Sequence, residues 1–166
     1  MGIITLITLF ITMILQVVIP PIPAELIVIS SGKLNGILLA TLFAGAGLFV
    51  GSILVYYIGF YIQNRFSKFF KKNKVKKIIN NLREQETLLL IIRVLPYNPS
   101  GIISCVSGII KVDKKKFFVI TFFTAFIRIF LLAVMGSFIT NIKTTLIVVS
   151  LLIICAIVAY AIAYKK

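Results

Sequence analysis

Three long apolar stretches dominate the sequence, at residues 35–62, 117–140 and 146–164. A helix needs about 20 consecutive apolar residues to cross the hydrocarbon core of a bilayer. All three stretches are of about that length. The chain is 60% hydrophobic and has a mean hydropathy of +1.12, which is far outside the range of soluble globular domains. The sequence therefore predicts an all-α, polytopic membrane protein with a single membrane domain.

Few side chains could support enzyme or metal chemistry. Of the 166 residues none is histidine and only four are acidic. The two cysteines, Cys105 and Cys155, lie far apart in apolar segments, which is typical of buried, unreactive thiols. A zinc, di-iron or carboxylate–magnesium site needs a cluster of such ligands. We therefore expect no enzyme, no bound metal and no cofactor.

One short pattern occurs twice in the chain. Residues 20–32 read PPIPAELIVISSG and residues 96–108 read PYNPSGIISCVSG. At a constant offset the identical pairs are Pro20 with Pro96, Pro23 with Pro99, Ser31 with Ser107, and Gly32 with Gly108. Each copy is followed by a long apolar stretch, so the pattern indicates an internal repeat.

The prolines break each repeat into two short legs. Proline removes a backbone donor and disfavours helix at the residue before it. The second legs, residues 24–32 and 100–110, would form helices of about 15 Å, half the thickness of a ~30 Å hydrocarbon core. Residues 87–95 are equally short, whereas residues 3–19 are longer and could also span completely. Two re-entrant hairpins are predicted, with their tips at Pro20, Pro23, Pro96, Pro99 and Ser100.

The basic residues test this arrangement. Eight Lys and Arg lie in residues 65–83, four lie in residues 111–116, and two end the chain. If residues 87–110 form a re-entrant hairpin, all of these face the cytoplasm and only Lys33 and Lys143 face outside, as the positive-inside rule requires. The net charge of +14 is therefore assigned to membrane orientation and not to nucleic acid binding.

The resulting architecture has two inverted repeats, each a hairpin plus a transmembrane helix. Residues 1–64 form the first repeat, 65–83 a basic cytoplasmic segment and 84–140 the second repeat. Residues 146–164 add a last transmembrane helix. The basic segment favours either an amphipathic helix on anionic lipid or a solvated loop. The composition indicates the cell membrane of a prokaryote.

Three charged residues remain within the predicted membrane segments: Glu25, Arg93 and Arg128. A charge at this depth costs ~2.5–3.5 kcal/mol on insertion scales, and such residues usually mark transport pathways. Arginine can hold phosphate oxygens with two parallel hydrogen bonds. The three residues could form a phosphate site or only a structural salt bridge. We expect Glu25 within about 10 Å of one of the arginines, with Arg93 at the opposite tip as its neutralising partner.

Several glycines have the spacing of helix-packing positions. Small residues allow close approach between membrane helices. The positions assigned to packing are Gly32, Gly45, Gly47, Gly51, Gly59 and Gly108.

These motifs together resemble the DedA superfamily, also called the SNARE-associated Golgi protein or VTT-domain family. The resemblance is carried by PIPAE at 21–25, by the glycine-rich span ending in YYIG at 56–59, by RVLPYNPSGIISCVSG at 93–108, and by Arg128. It extends over roughly residues 18–140.

The resemblance implies roles for individual residues. It makes Glu25 the functional acid and Arg93 and Arg128 the functional arginines. Two positions depart from the bacterial pattern: Ser52 stands where an aspartate is common, and Pro99 stands where a second arginine is frequent. The missing acid weakens any mechanism that needs two carboxylates.

Movement of lipids between leaflets is the activity that the family suggests. We expect a flippase- or scramblase-like transporter for a phosphate-bearing headgroup, such as a polyprenyl phosphate or a phospholipid. An ion- or proton-coupled exporter of small solutes and a non-transporting membrane scaffold are the alternatives. The expected partners are anionic or phosphate-bearing membrane lipids and not nucleic acid, and a homo-oligomer is left open.

Overall fold

A computed structural model describes residues 3–19, 24–65, 73–94 and 98–138. Every regular element in these ranges is helical. The helices are α1 (Ile3–Val18), α2 (Ala24–Asn35), α3 (Ile37–Arg65), α4 (Asn73–Glu84), α5 (Glu86–Ile91), α6 (Ser100–Ile109) and α7 (Lys114–Phe138), with a 3₁₀ turn at Ile92–Val94. The prediction of an all-α protein is confirmed for the described part of the chain.

Two of these helices are long and apolar enough to cross a membrane. They are α3, with a mean hydropathy of 2.2, and Lys114–Ser137 within α7, with 2.4. Their outward faces carry exposed apolar and aromatic side chains, among them Leu54, Ile58, Tyr61, Phe123, Ile127 and Phe130. The spans predicted at 35–62 and 117–140 are thus found as apolar helices. The predicted span 146–164 lies outside the described residues.

The helices that follow the prolines are short, as the repeat predicts. Helix α2 has 12 residues and α6 has 10, which correspond to about 18 and 15 Å. Helix α6 begins directly after Pro99, whose backbone φ of −77° suits a helix start. The tip residues Pro20, Pro23 and Pro96 lie outside the described residues.

The predicted first leg, residues 87–95, is described as far as residue 94 and lies in α5 and the 3₁₀ turn, and not in one continuous helix. The chain just before and at the start of α5 lies beside the end of α6 and the start of α7. The Arg83 guanidinium donates two hydrogen bonds, of 3.1 and 2.8 Å, to the carbonyl of Ile110. Beside it, Lys116 Nζ lies 2.6 Å from a carboxylate oxygen of Glu86. We call this region, residues 83–86 and 110–116, the basic end.

Helix α4 bears on the interpretation of the basic segment. Its described residues 73–84 are helical, and Ile79 and Leu82 pack against a buried cluster that includes Tyr56 and Phe117. This part is therefore a helix and not a loop, and its contact with anionic lipid stays a prediction; residues 66–72 lie outside the described residues.

Glycine contacts hold α6 against α3. A Cβ atom at Gly59 would lie 2.9 Å from the carbonyl carbon of Cys105, and one at Gly108 would lie 2.7 Å from the backbone nitrogen of Phe60. Both distances are shorter than the closest non-bonded approach of a Cβ atom, so only glycine fits where the two backbones meet. The half-buried Cys105 thiol belongs to this packing.

The contact between α2 and α7 repeats this arrangement. A Cβ at Gly32 would lie 2.8 Å from Cα of Ala133, and one at Gly136 would lie 2.8 Å from the carbonyl carbon of Ile29. Ile29 and Cys105 are separated by the offset of the sequence repeat, and Gly59 and Gly136 by one residue more. Each short helix thus packs on the long helix of the other half of the chain.

Helix α1 packs on α3 in the same manner. Gly47 faces Phe10 and Met13, and Gly51 faces Ile14 and Val17. The remaining predicted packing residue, Gly45, faces the ring of Phe126 and no backbone atom. The contact with α1 leaves the opposite face of α3 free for α6 and α7, which places α3 at the centre of the described fold.

Candidate functional site

Arg93 is held in the interior by neutral partners. Its side chain is 4% exposed and lies in the 3₁₀ turn. One terminal nitrogen donates to Thr121 Oγ1 at 2.6 Å, and the other donates to the Ser100 carbonyl at 3.0 Å and to the Ser104 hydroxyl. The guanidinium carbon also lies 5.1 Å from the centre of the Phe117 ring. The charge of Arg93 is therefore solvated by hydroxyl, carbonyl and aromatic groups and not by a carboxylate.

Arg128 is the residue that pairs with Glu25. Its Nη2 donates to Glu25 Oε1 in an ion pair whose side chains are 5% and 12% exposed. Its Nη1 lies 3.3 Å from Asn98 Oδ1. The expectation that Glu25 lies close to one arginine is confirmed. Arg93 as the neutralising partner is wrong, because α2 packs on α7 and this contact brings Glu25 to Arg128.

A small cavity lies between the two arginines. It measures about 10 Å³, close to the smallest space that holds one water molecule. Its walls come from α3, the start of α6, α7 and the 3₁₀ turn. The lining residues are Leu48, Ser52, Arg93, Ser100, Thr121, Thr124, Ala125 and Arg128.

Two hydrogen-bond donors at this cavity are unused. The Nε atoms of Arg93 and Arg128 are buried and have no partner among the described residues. A buried donor without an acceptor costs ~1–3 kcal/mol, and more when it is charged. The three charged side chains Glu25, Arg93 and Arg128 sum to +1. The site therefore has one more positive charge than it can neutralise with its own described residues.

A larger cleft separates helices α1 and α2. It measures about 540 Å³. Its polar lining consists of Thr5, Thr8, Thr12, Ser30, Ser31 and Asn35. This volume is in the range of small-molecule sites, but the lining residues carry no charge.

Sequence analysis missed several neighbours of the arginines. Asn98, Ser104 and Thr121 contact them directly. Ser52, identified from the sequence only as a departure from the family pattern, stands in the cavity wall and is 1% exposed. One available signal was helical spacing, because Thr121, Thr124 and Arg128 lie on one face of α7. Ser100, Ser104 and Ser107 have a similar helical spacing on α6, whereas Asn98 belongs to no such pattern.

One known protein family matches most of this chain. The family model described as the VTT domain matches residues 22–138. That range is most of the chain and contains Glu25, Arg93, Arg128 and both apolar helices. The chain belongs to the VTT-domain family. The domain is that of SNARE-associated and DedA proteins, a membrane-associated family.

The VTT match begins and ends at structural boundaries. It starts two residues before α2 and ends at the last residue of α7. Helix α1 lies outside the matched range although it packs closely on α3. No curated protein and no solved structure matches this chain.

Proposed function

We propose that this VTT-domain protein moves a lipid with a phosphate-bearing headgroup across the bilayer. The observation that carries the proposal is the pair of buried arginines beside one cavity, of which only Arg128 is paired with a carboxylate, that of Glu25. A phosphate group would supply the missing negative charge and acceptors for both unused Nε donors. Arginine suits this role because its planar guanidinium binds phosphate oxygens in pairs and stays charged at any physiological pH.

The proposed mechanism requires the site to open. The cavity has room for about one water molecule, whereas a phosphate group is several times larger. The state described here is then a closed one, in which the Glu25 carboxylate pairs with Arg128 in place of a phosphate. An entering headgroup would displace Glu25 from Arg128. In this proposal the cleft between α1 and α2, whose largely apolar lining includes six hydroxyl or amide side chains, is the route of the headgroup, while the lipid tails stay outside the protein.

The proposed architecture is a pair of inverted re-entrant hairpins. It is supported by the basic end, where both ends of the second hairpin meet. It is also supported by the reciprocal glycine contacts of α2 with α7 and of α6 with α3. The cavity wall also shows the offset of the sequence repeat: Thr124 corresponds to Leu48, and Arg128 corresponds to Ser52. The site would therefore lie on the axis that relates the two halves, as in transporters built from inverted repeats.

Cysteine labelling tests this topology. In a background without Cys105 and Cys155, we expect Asn81→Cys and Lys115→Cys to resist a membrane-impermeant thiol reagent added to intact cells. Both should react after the membrane is permeabilised. Lys33→Cys is the control that should react from outside. If only one of positions 81 and 115 is protected, the re-entrant hairpin is wrong.

Reconstitution tests the function itself. Purified protein in liposomes should accelerate the movement of a fluorescent phospholipid or polyprenyl phosphate between leaflets, with empty liposomes as the control. Counterflow of a small solute without lipid movement would favour the coupled exporter. Absence of both activities from folded protein would favour the scaffold.

A further inference from the structure

Two lysines at the basic end converge on one aromatic ring. Lys111 Nζ lies 5.4 Å and Lys114 Nζ 5.5 Å from the centre of the Phe60 ring, and Lys114 Nζ also lies 5.6 Å from the Tyr57 ring. Each distance is within the range of a cation–π contact. Both ammonium groups are thereby held within 5.5 Å of the centre of one ring, on residues that are exposed at the surface.

No described carboxylate forms an ion pair with either lysine. Of the acidic residues nearby, Glu86 binds Lys116 at 2.6 Å, and Asp113 accepts a hydrogen bond of 2.9 Å from the backbone N–H of Lys116. Lys116 therefore has a carboxylate partner, whereas Lys111 and Lys114 have ring contacts and no ion pair among the described residues. Their ammonium groups thus remain available to an external anion.

The backbone of Lys111 indicates that its position is specific. Its φ of +57° lies in the left-handed region, and it is the one non-glycine residue with a positive φ in the described part of the chain. Helix α6 ends there in a Schellman motif, with Lys111 N–H bonded to the Gly108 carbonyl and Val112 N–H bonded to the Ser107 carbonyl. Glycine is the usual residue at this point, so lysine is placed here against the preference of the backbone.

The pair lies at the level of a membrane surface. Helix α3 has 29 residues, so it is about 43 Å long and extends beyond a ~30 Å hydrocarbon core. Tyr57 and Tyr61, in its last turns, are 42% and 68% exposed. Exposed tyrosines of this kind mark the headgroup region of a bilayer.

We propose that Lys111 and Lys114, beside Phe60 and Tyr57, bind the phosphate of an anionic phospholipid headgroup at the membrane surface. This site is separate from the arginine cavity, because Tyr56 and Phe117 stack at 4.3 Å between α3 and α7 and belong to a buried cluster. The proposal does not depend on transport, since it concerns binding alone.

Lipid binding to the purified full-length protein tests the site. Native mass spectrometry should show phosphatidylglycerol bound more tightly than phosphatidylcholine. Replacing both lysines, as Lys111→Gln with Lys114→Gln, should weaken phosphatidylglycerol binding about 30-fold, since a direct ion pair between one lysine and the phosphate contributes up to about fivefold. Lys115→Gln is the matched control: Lys115 is an exposed neighbour in the same turn, and its variant should bind within about twofold of the parent.

Lys111→Gly separates binding from folding. Glycine relieves the left-handed backbone, so this variant should be at least as stable as the parent and still lose about fivefold in phosphatidylglycerol affinity. Unchanged affinity in this variant would overturn the site. The proposal is equally overturned if Lys115→Gln weakens binding as much as Lys114→Gln does, because the attraction would then be diffuse, or if the two lipids bind alike.

Discussion

Replacing Arg93 with glutamine is expected to slow lipid movement about 100-fold while the protein still inserts and folds. Hydrogen bonds to charged groups are worth ~1.5–3 kcal/mol each, so losing two to a phosphate removes a hundredfold or more. Arg93 is the cleaner arginine to change because its partners Thr121, Ser100 and Ser104 are all neutral. No buried anion is left unpaired when its charge disappears. The rate in liposomes measures the effect, and thermal unfolding measures the fold.

Arg83→Gln is the matched control. Arg83 also donates to a neutral acceptor, the Ile110 carbonyl, but it lies at the basic end and away from the cavity. Its loss should change transport by no more than about threefold, which is the effect of a surface substitution. Equal loss of transport in the two variants would mean that Arg93 acts through the fold and not through a phosphate.

Arg128 needs a paired design because it neutralises Glu25. Arg128→Gln alone leaves a buried carboxylate without a partner and should destabilise the protein by ~3–5 kcal/mol. Glu25→Gln combined with Arg128→Gln removes both charges and should recover most of that stability without recovering transport. A double variant that transports normally would show that the pair is only structural.

Gly108→Ala is expected to destabilise the folded protein by about 3 kcal/mol or more, at the upper end of the cost of overpacking. The added methyl group would collide with the α3 backbone at Tyr56 and Phe60, which cannot rotate away as a side chain can. Helices α3 and α6 would have to separate, and Ser100 and Ser104 of α6 would then lose their contact with Arg93. The yield of monodisperse protein and its unfolding temperature in detergent report the loss.

Gly45→Ala provides the comparison on α3. There a new Cβ would lie 3.0 Å from the ring of Phe126, a side chain that can shift by a few tenths of an ångström. Its cost should stay below about 1 kcal/mol, because alanine also has the higher helix propensity. If the two alanine variants are equally stable, the close α3–α6 contact does not exist in the folded protein.

The sequence by itself determined the element types and the charged residues that matter. Runs of apolar residues set the lengths of α3 and α7, since only such runs can lie in hydrocarbon. Proline fixed the start of α6 at Ser100, because it cannot continue a helix from the preceding leg. Glu25, Arg93 and Arg128 were identifiable because a charge in a long apolar context is costly and rarely retained without a role.

Only the tertiary structure decided which of these residues meet. Glu25 pairs with Arg128, and not with Arg93, because the glycine contacts at Gly32 and Gly136 seat α2 against α7. The partners of Arg93 come from two other helices, and no pattern in the chain links their hydroxyl groups to Arg93 itself. Periodicity records which face of a helix is apolar, but the partner of that face depends on where two backbones can approach. That approach is set by helix packing in three dimensions, so the cavity and the partner of each charged residue could not be derived from spacing alone.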